Sequence, residues 1–152
     1  MYSSEEKKQI RQNFWDQFKA FSNKRKLRAG KKGKWILDQT GISQLKLKFH
    51  FDEIQAWAGL EIDTRNLDKR IELYEKLEQL KSILQKAVPF ELQWKLETEK
   101  MPGKTVSRVF MLKEGVNIYN QDCWREVSVF LYEAMAPLEE VFVEYADFIK
   151  YQ

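Results

Sequence analysis

Three observations predict an α+β fold, with a mainly antiparallel sheet packed by helices. Apolar residues recur at helical spacing in three separated segments, and they alternate with polar residues in four others. The alternating segments come in two adjacent pairs, each able to close a hairpin through a short turn. The expected order is helix, hairpin, helix, hairpin, helix, in one domain spanning residues 1–152.

The first helix opens on Ser3-x-x-Glu6, a capping box, and continues through Ile10, Phe14, Phe18 and Phe21 to about residue 23. After a basic segment, order resumes at Trp35-Ile36-Leu37, and Thr40-Gly41 reads as a turn. Leu45, Leu47, Phe49 and Phe51 alternate with Lys46, Lys48 and His50, and period two continues from Ile54 to Ile62. Asp52-Glu53 is the expected hairpin turn. Leu67, Ile71, Tyr74, Leu77, Leu80 and Leu84 restore helical spacing until Pro89 stops it. Phe90, Leu92, Trp94 and Leu96 alternate again, Pro102-Gly103 turns the chain, and residues 106–112 return as a strand. Asn120 or Asp122 caps a last helix, in which Trp124, Val127, Leu131, Ala134, Leu138, Val141, Tyr145 and Phe148 follow a 3,4 spacing. Pro137 is expected to kink or divide it.

With 43% apolar residues and 21 aromatics among 152, the chain can bury a substantial core. A lone Cys123 offers neither an internal disulfide nor a cysteine-rich zinc site, and residues 1–6 lack the pattern of a secretory signal. No apolar run approaches the roughly 18–20 residues that cross a bilayer, so the expectation is a cytoplasmic protein without a membrane partner.

Charge is segregated. Lys24, Arg25, Lys26, Arg28, Lys31, Lys32 and Lys34 fall within eleven residues that hold no acid. Of 26 basic and 23 acidic residues, 19 and 23 remain elsewhere, so the rest of the chain is mildly acidic. Such a footprint suits phosphate partners, DNA or RNA, and Lys46, Lys48 and Trp57 extend it, with Trp57 as an exposed stacking platform.

Phe14-Trp15 with Phe18, Trp35, Thr40-Gly41-Ile42, Glu61-Ile62, Leu80-Lys81, Trp94, Ser107-Arg108, Trp124 and Phe130-Leu131 together resemble the bacterial domain-of-unknown-function family 4268. The resemblance covers about residues 13–147 and rests on aromatics and turns, not on a catalytic motif. Some members look like the C-terminal half of proteins whose N-terminal half is nuclease-like, which implies an accessory or recognition role. The basic segment is not an expected family feature, so a nucleic-acid reading of it is specific to this chain.

No catalytic residue, metal ligand set or cofactor motif emerges. His50 sits on the polar face of its strand with no nucleophile motif beside it, and Gly30-Lys31-Lys32-Gly33-Lys34 lacks the Walker spacing. Asp52, Glu61 and Asp63 bracket a strand and raise the question of Mg²⁺-dependent nuclease chemistry. Glu61-Ile62-Asp63, however, lacks the lysine of a Glu-x-Lys motif. Arg108, in an otherwise apolar strand, requires a counter-charge from Glu61 or Glu97, or else an anion. The expected function is therefore nucleic-acid binding without catalysis. The alternatives are a protein-interaction module or homodimer docking through the C-terminal helix, and the nuclease.

Overall fold

A computed structural model describes residues 1–151. It contains helices α1 (Ser4–Arg28), α2 (Leu67–Gln79), α3 (Lys81–Ala87) and α4 (Trp124–Tyr151) and strands β1 (Leu45–Phe51), β2 (Gln55–Ile62), β3 (Gln93–Met101) and β4 (Lys104–Glu114). The strands form one antiparallel sheet in the order β1-β2-β4-β3. Among the described residues no helix is long and apolar enough to cross a membrane.

Local chemistry sets the element ends. Ser3 and Glu6 form the expected capping box, with reciprocal bonds of 3.0 and 3.2 Å. At the first hairpin Asp52 Oδ1 accepts from the Ile54 and Gln55 amides at 2.9 and 3.0 Å, an Asx turn that satisfies the backbone there. Asn120 caps a short 3-10 turn, Gln121–Cys123, that leads into α4.

Three expectations about helices are corrected. α1 runs through Arg28, five residues beyond the predicted end, because its buried stripe continues as Phe14, Phe18, Ser22, Lys26 at i,i+4 spacing. The second predicted helix is two, α2 and α3, which part at the buried Leu80, where ψ is 7°. Pro137 does not divide α4. Ala134, Met135, Leu138, Val141 and Phe142 are buried on both sides of it, and that packing outweighs the roughly 3 kcal/mol a helical proline costs.

The core lies between the helices and one sheet face. Leu45, Leu47, Phe51, Ala56, Ala58, Leu60, Ile62, Val109 and Met111 meet Phe14 and Phe18 of α1, Leu73 and Leu77 of α2 and the apolar stripe of α4. Trp124, Val127, Leu131, Ala134, Leu138 and Val141 are all buried in that core. The stripe of the C-terminal helix, for which homodimer docking was the alternative to core packing, is thus packed within the chain's own core.

The opposite sheet face has no helix among its core partners, yet Trp57, Val106 and Phe110 on it are buried. Gly59 lets β2 and β4 close up there, since a Cβ would collide with the Val109 carbonyl and with Phe110. Long basic side chains cover the rest.

Candidate anion-binding surfaces

The basic segment divides into structural and uncommitted cations. Lys26 is 4% exposed and carries an ammonium that donates to Glu139 at 2.7 Å and to the Lys34 carbonyl at 3.0 Å, over the Trp35 ring at 4.0 Å. Glu139 also accepts from the Ile36 amide, and the Trp35 indole donates to Ser22 Oγ at 3.0 Å. Lys26 and Ser22 thereby lock the segment after α1 onto α4. Lys31 pairs with Glu140. The expectation of a basic stretch outside the first helix, with all seven cations on nucleic acid, is corrected in part: residues 24–28 are helical, and Lys26 and Lys31 have carboxylate partners. Lys32 and Lys34 are exposed.

Lys24, Arg25 and Arg28 project from another side of α1, and together with Phe21 and Arg125 of α4 they line a cleft of about 300 Å³. No carboxylate is among the residues that line it, and Glu126, Glu139 and Glu140 of α4 pair with Lys113, Lys26 and Lys31. Arg25 and Arg125 both lie over Phe21, at 5.3 and 5.4 Å from the ring centre, and Arg25 also lies 5.2 Å from the Tyr132 ring. Arg25 Nη1 is buried with no hydrogen-bond partner among the described residues. A buried guanidinium N–H left unpaired is costly. An adjoining groove of about 330 Å³ continues between α1 and α4 past Gln17, Gln121 and Ser128.

Arg125 is absent from the predicted site. It lies about a hundred residues from the basic segment, and only the packing of α1 on α4 brings it there. The i,i+3,i+4,i+7 set Phe21, Lys24, Arg25, Arg28 was visible, but the sequence offered no means of choosing its facing partner.

Lys46, Lys48 and Trp57 belong to a different surface. They sit on the sheet face opposite the one against which α1 packs, and so do not join residues 24–34 in one patch. Trp57 is 3% exposed, which corrects the expectation of a stacking platform. The His50 ring stacks on it at 5.3 Å and the Arg108 guanidinium lies over it at 4.5 Å. His50 itself meets Asp52 Oδ2 at 2.7 Å.

Glu61 is fully buried at the centre of that face. Its register partners are Lys46 on β1 and Arg108 on β4, and Arg108 donates to it at 2.8 and 3.1 Å, the pairing its isolation in an apolar strand required. Glu97, the other candidate partner, stands 3.9 Å from Arg70 instead. Lys100 reaches across from β3 to Glu61 and Asp63, 3.0 Å from each, while Lys46 and Lys48 stand 3.5 and 3.6 Å from Glu61. Burial alone would raise the pKa of Glu61, but hydrogen bonds from Arg108 and Lys100 and the charge of Lys48 outweigh it and hold the carboxyl below its ordinary range. Asp63 is lowered likewise, with Lys100 and Lys104 overcoming its burial.

The lysine missing from the Glu-x-Lys position is therefore supplied in space by Lys100. The Glu61 oxygens are engaged by cations that would repel a divalent ion. No group of three or more acidic, His or Cys residues suited to a metal occurs among the described residues.

Neighbouring Ser107 faces the other way, as strand alternation demands. The buried Arg70 of α2 donates to Ser107 Oγ at 2.8 Å and to the Leu96 carbonyl, which leaves the β3–β4 ladder at the irregularity between Lys95 and Thr98.

Comparison with known proteins returns no match among curated proteins and none among solved structures. A family profile, described as a domain of unknown function (DUF4268), matches residues 10–146, nearly the whole chain. With its aromatic helices and its Glu61 and Arg108 strands inside that match, this chain belongs to the DUF4268 family.

Proposed function

We propose that the protein binds nucleic acid through the sugar-phosphate backbone, along the cleft between α1 and α4. The observation that carries this reading is the convergence of Lys24, Arg25, Arg28 and Arg125 on one cleft that no carboxylate lines. Two features of the cleft favour phosphate. Arginines present planar N–H forks suited to phosphate oxygens, and their stacking on Phe21 orders them in advance. Polar Gln17, Gln121 and Ser128 extend the groove in the manner of backbone contacts.

Contacts of this kind position without reading bases, and the burial of Trp57 removes the aromatic platform that base stacking on the sheet would use. Binding is thus expected to be insensitive to base sequence. The deciding test is the salt dependence of duplex binding, compared between the wild type and a variant carrying Lys24→Gln, Arg28→Gln and Arg125→Gln. A flattened slope in the variant supports the reading, and an unchanged slope removes it.

A further inference from the structure

We propose that the open face of the sheet carries a second, separate anion site, in which Lys46 and Lys48 hold a phosphate group, either inorganic phosphate or a phosphomonoester. The cluster around Glu61 contains two kinds of contact. Arg108 and Lys100 hydrogen-bond to the carboxylate, whereas Lys46 and Lys48 stand at 3.5 and 3.6 Å and donate no hydrogen bond to any described residue. Glu61 therefore draws both ammonium groups toward one carboxylate, while no acceptor among the described residues takes a hydrogen bond from either. Their side chains are 33% and 28% exposed, so a solute can reach them.

The two lysines stand two residues apart on one strand, about 6.8 Å along it. With both ammonium groups drawn to the same carboxylate, one oxyanion can reach both through charge-assisted hydrogen bonds of about 2.8 Å. Charge selects the class of anion. Lys46, Lys48, Lys100, Lys104 and Arg108 face Glu61 and Asp63, five cations against two carboxylates, an excess of three. A phosphate dianion leaves one of these uncompensated, whereas a carboxylate leaves two. The same excess acts on Lys48, whose pKa is lowered by burial and further by Lys100, Lys46 and Arg108, against the opposing pull of Glu61. An anion seated there relieves that repulsion.

The test is a titration of the full chain with sodium phosphate, followed by amide and lysine side-chain NMR shifts at pH 7.5 against sodium chloride of equal ionic strength. Saturable shifts centred on β1 and β2 are expected. They should weaken at least tenfold in Lys46→Gln with Lys48→Gln, and persist in the variant with Lys24, Arg28 and Arg125 replaced by Gln. If the double variant does not fold, Lys46→Gln alone, at the more exposed position, should still weaken binding severalfold. Phenyl phosphate binding as well as phosphate would identify a phosphomonoester as the source, and weaker binding would identify the free ion. Shifts no larger than those from chloride, or shifts unchanged in the lysine variants, would overturn the proposal. Neither result bears on the salt slope of nucleic-acid binding.

Discussion

Glu61 and Arg108 face each other across the β2–β4 register and are joined by two hydrogen bonds of 2.8 and 3.1 Å, on a sheet face where the carboxylate has no exposure. With Lys100, Lys46 and Lys48 gathered on the same carboxylate, Glu61 is the centre that makes a cation-covered sheet face compatible with folding.

Removing that centre leaves four cations facing one another. Glu61→Gln keeps the shape and deletes the charge, so it should lower stability by roughly 3–5 kcal/mol, the range for breaking a buried pair on one side. Urea unfolding of the two proteins measures this, and a loss below about 1 kcal/mol would mean that the cluster is solvated and contributes little.

The same cluster sets a pH dependence. Glu61 and Asp63 have pKa values depressed in the fold, so their contribution is fully present above the unfolded carboxyl values of about 4.3 and 3.9. It is lost as pH falls through the lower folded values. Wild type should therefore lose stability more steeply than Glu61→Gln below about pH 4.3. Thermal unfolding across pH 2–7 reads the difference between the curves, and parallel curves would contradict the assignment.

The legibility of this site in sequence follows from how local its cause is. A lone arginine between valines needs a carboxylate, and strand alternation put Glu61 on a matching face, so the Glu61–Arg108 pair was readable. Lys100 was not, because the irregular β3–β4 register decides which β3 side chains turn toward Glu61. Lys26 is obscured for a different reason. Its charge places it with the phosphate-binding cations, but the spacing Phe14, Phe18, Ser22, Lys26 continues the buried stripe, and an ammonium buried there is tolerable only because Glu139 and the Lys34 carbonyl meet it.

That correction separates two lysines of one basic segment. Lys26→Ala leaves Glu139 without its cation, and Trp35 without the ammonium over its ring, so a loss of roughly 3 kcal/mol is expected. Lys32→Ala, at an exposed position, should fall within about 0.5 kcal/mol of wild type. Equal effects in chemical denaturation would return the whole segment to the status of a solvated loop.

No Mg²⁺- or Mn²⁺-dependent cleavage of DNA or RNA is expected. Arg108 and Lys100 occupy the oxygens of Glu61 that a metal would need, and Asp63 is engaged by Lys100 and Lys104. Sustained cleavage by purified protein that disappears in a folded Glu61→Gln variant would defeat this expectation.

The cleft between α1 and α4 makes the sharpest quantitative claim. Each phosphate neutralised on duplex DNA contributes about −0.9 to the slope of log affinity against log salt, so three lost contacts flatten it by up to about 2.7. Replacing Lys24, Arg28 and Arg125 with Gln should produce a change of that order with folding intact, because all three are exposed and none shares the Lys26–Glu139 lock. Arg25 is left in place in that variant, since its guanidinium lies against Phe21 and Tyr132 and its removal would also disturb packing. Lys46→Gln with Lys48→Gln, on the opposite side of the sheet, should leave the slope where it was. The loss in the cleft variant should be similar for unrelated duplex sequences, because phosphate contacts carry no base information. A slope that changes with the sheet variant and not with the cleft variant would transfer the nucleic-acid surface to β1, and the absence of binding at low salt would remove the function altogether.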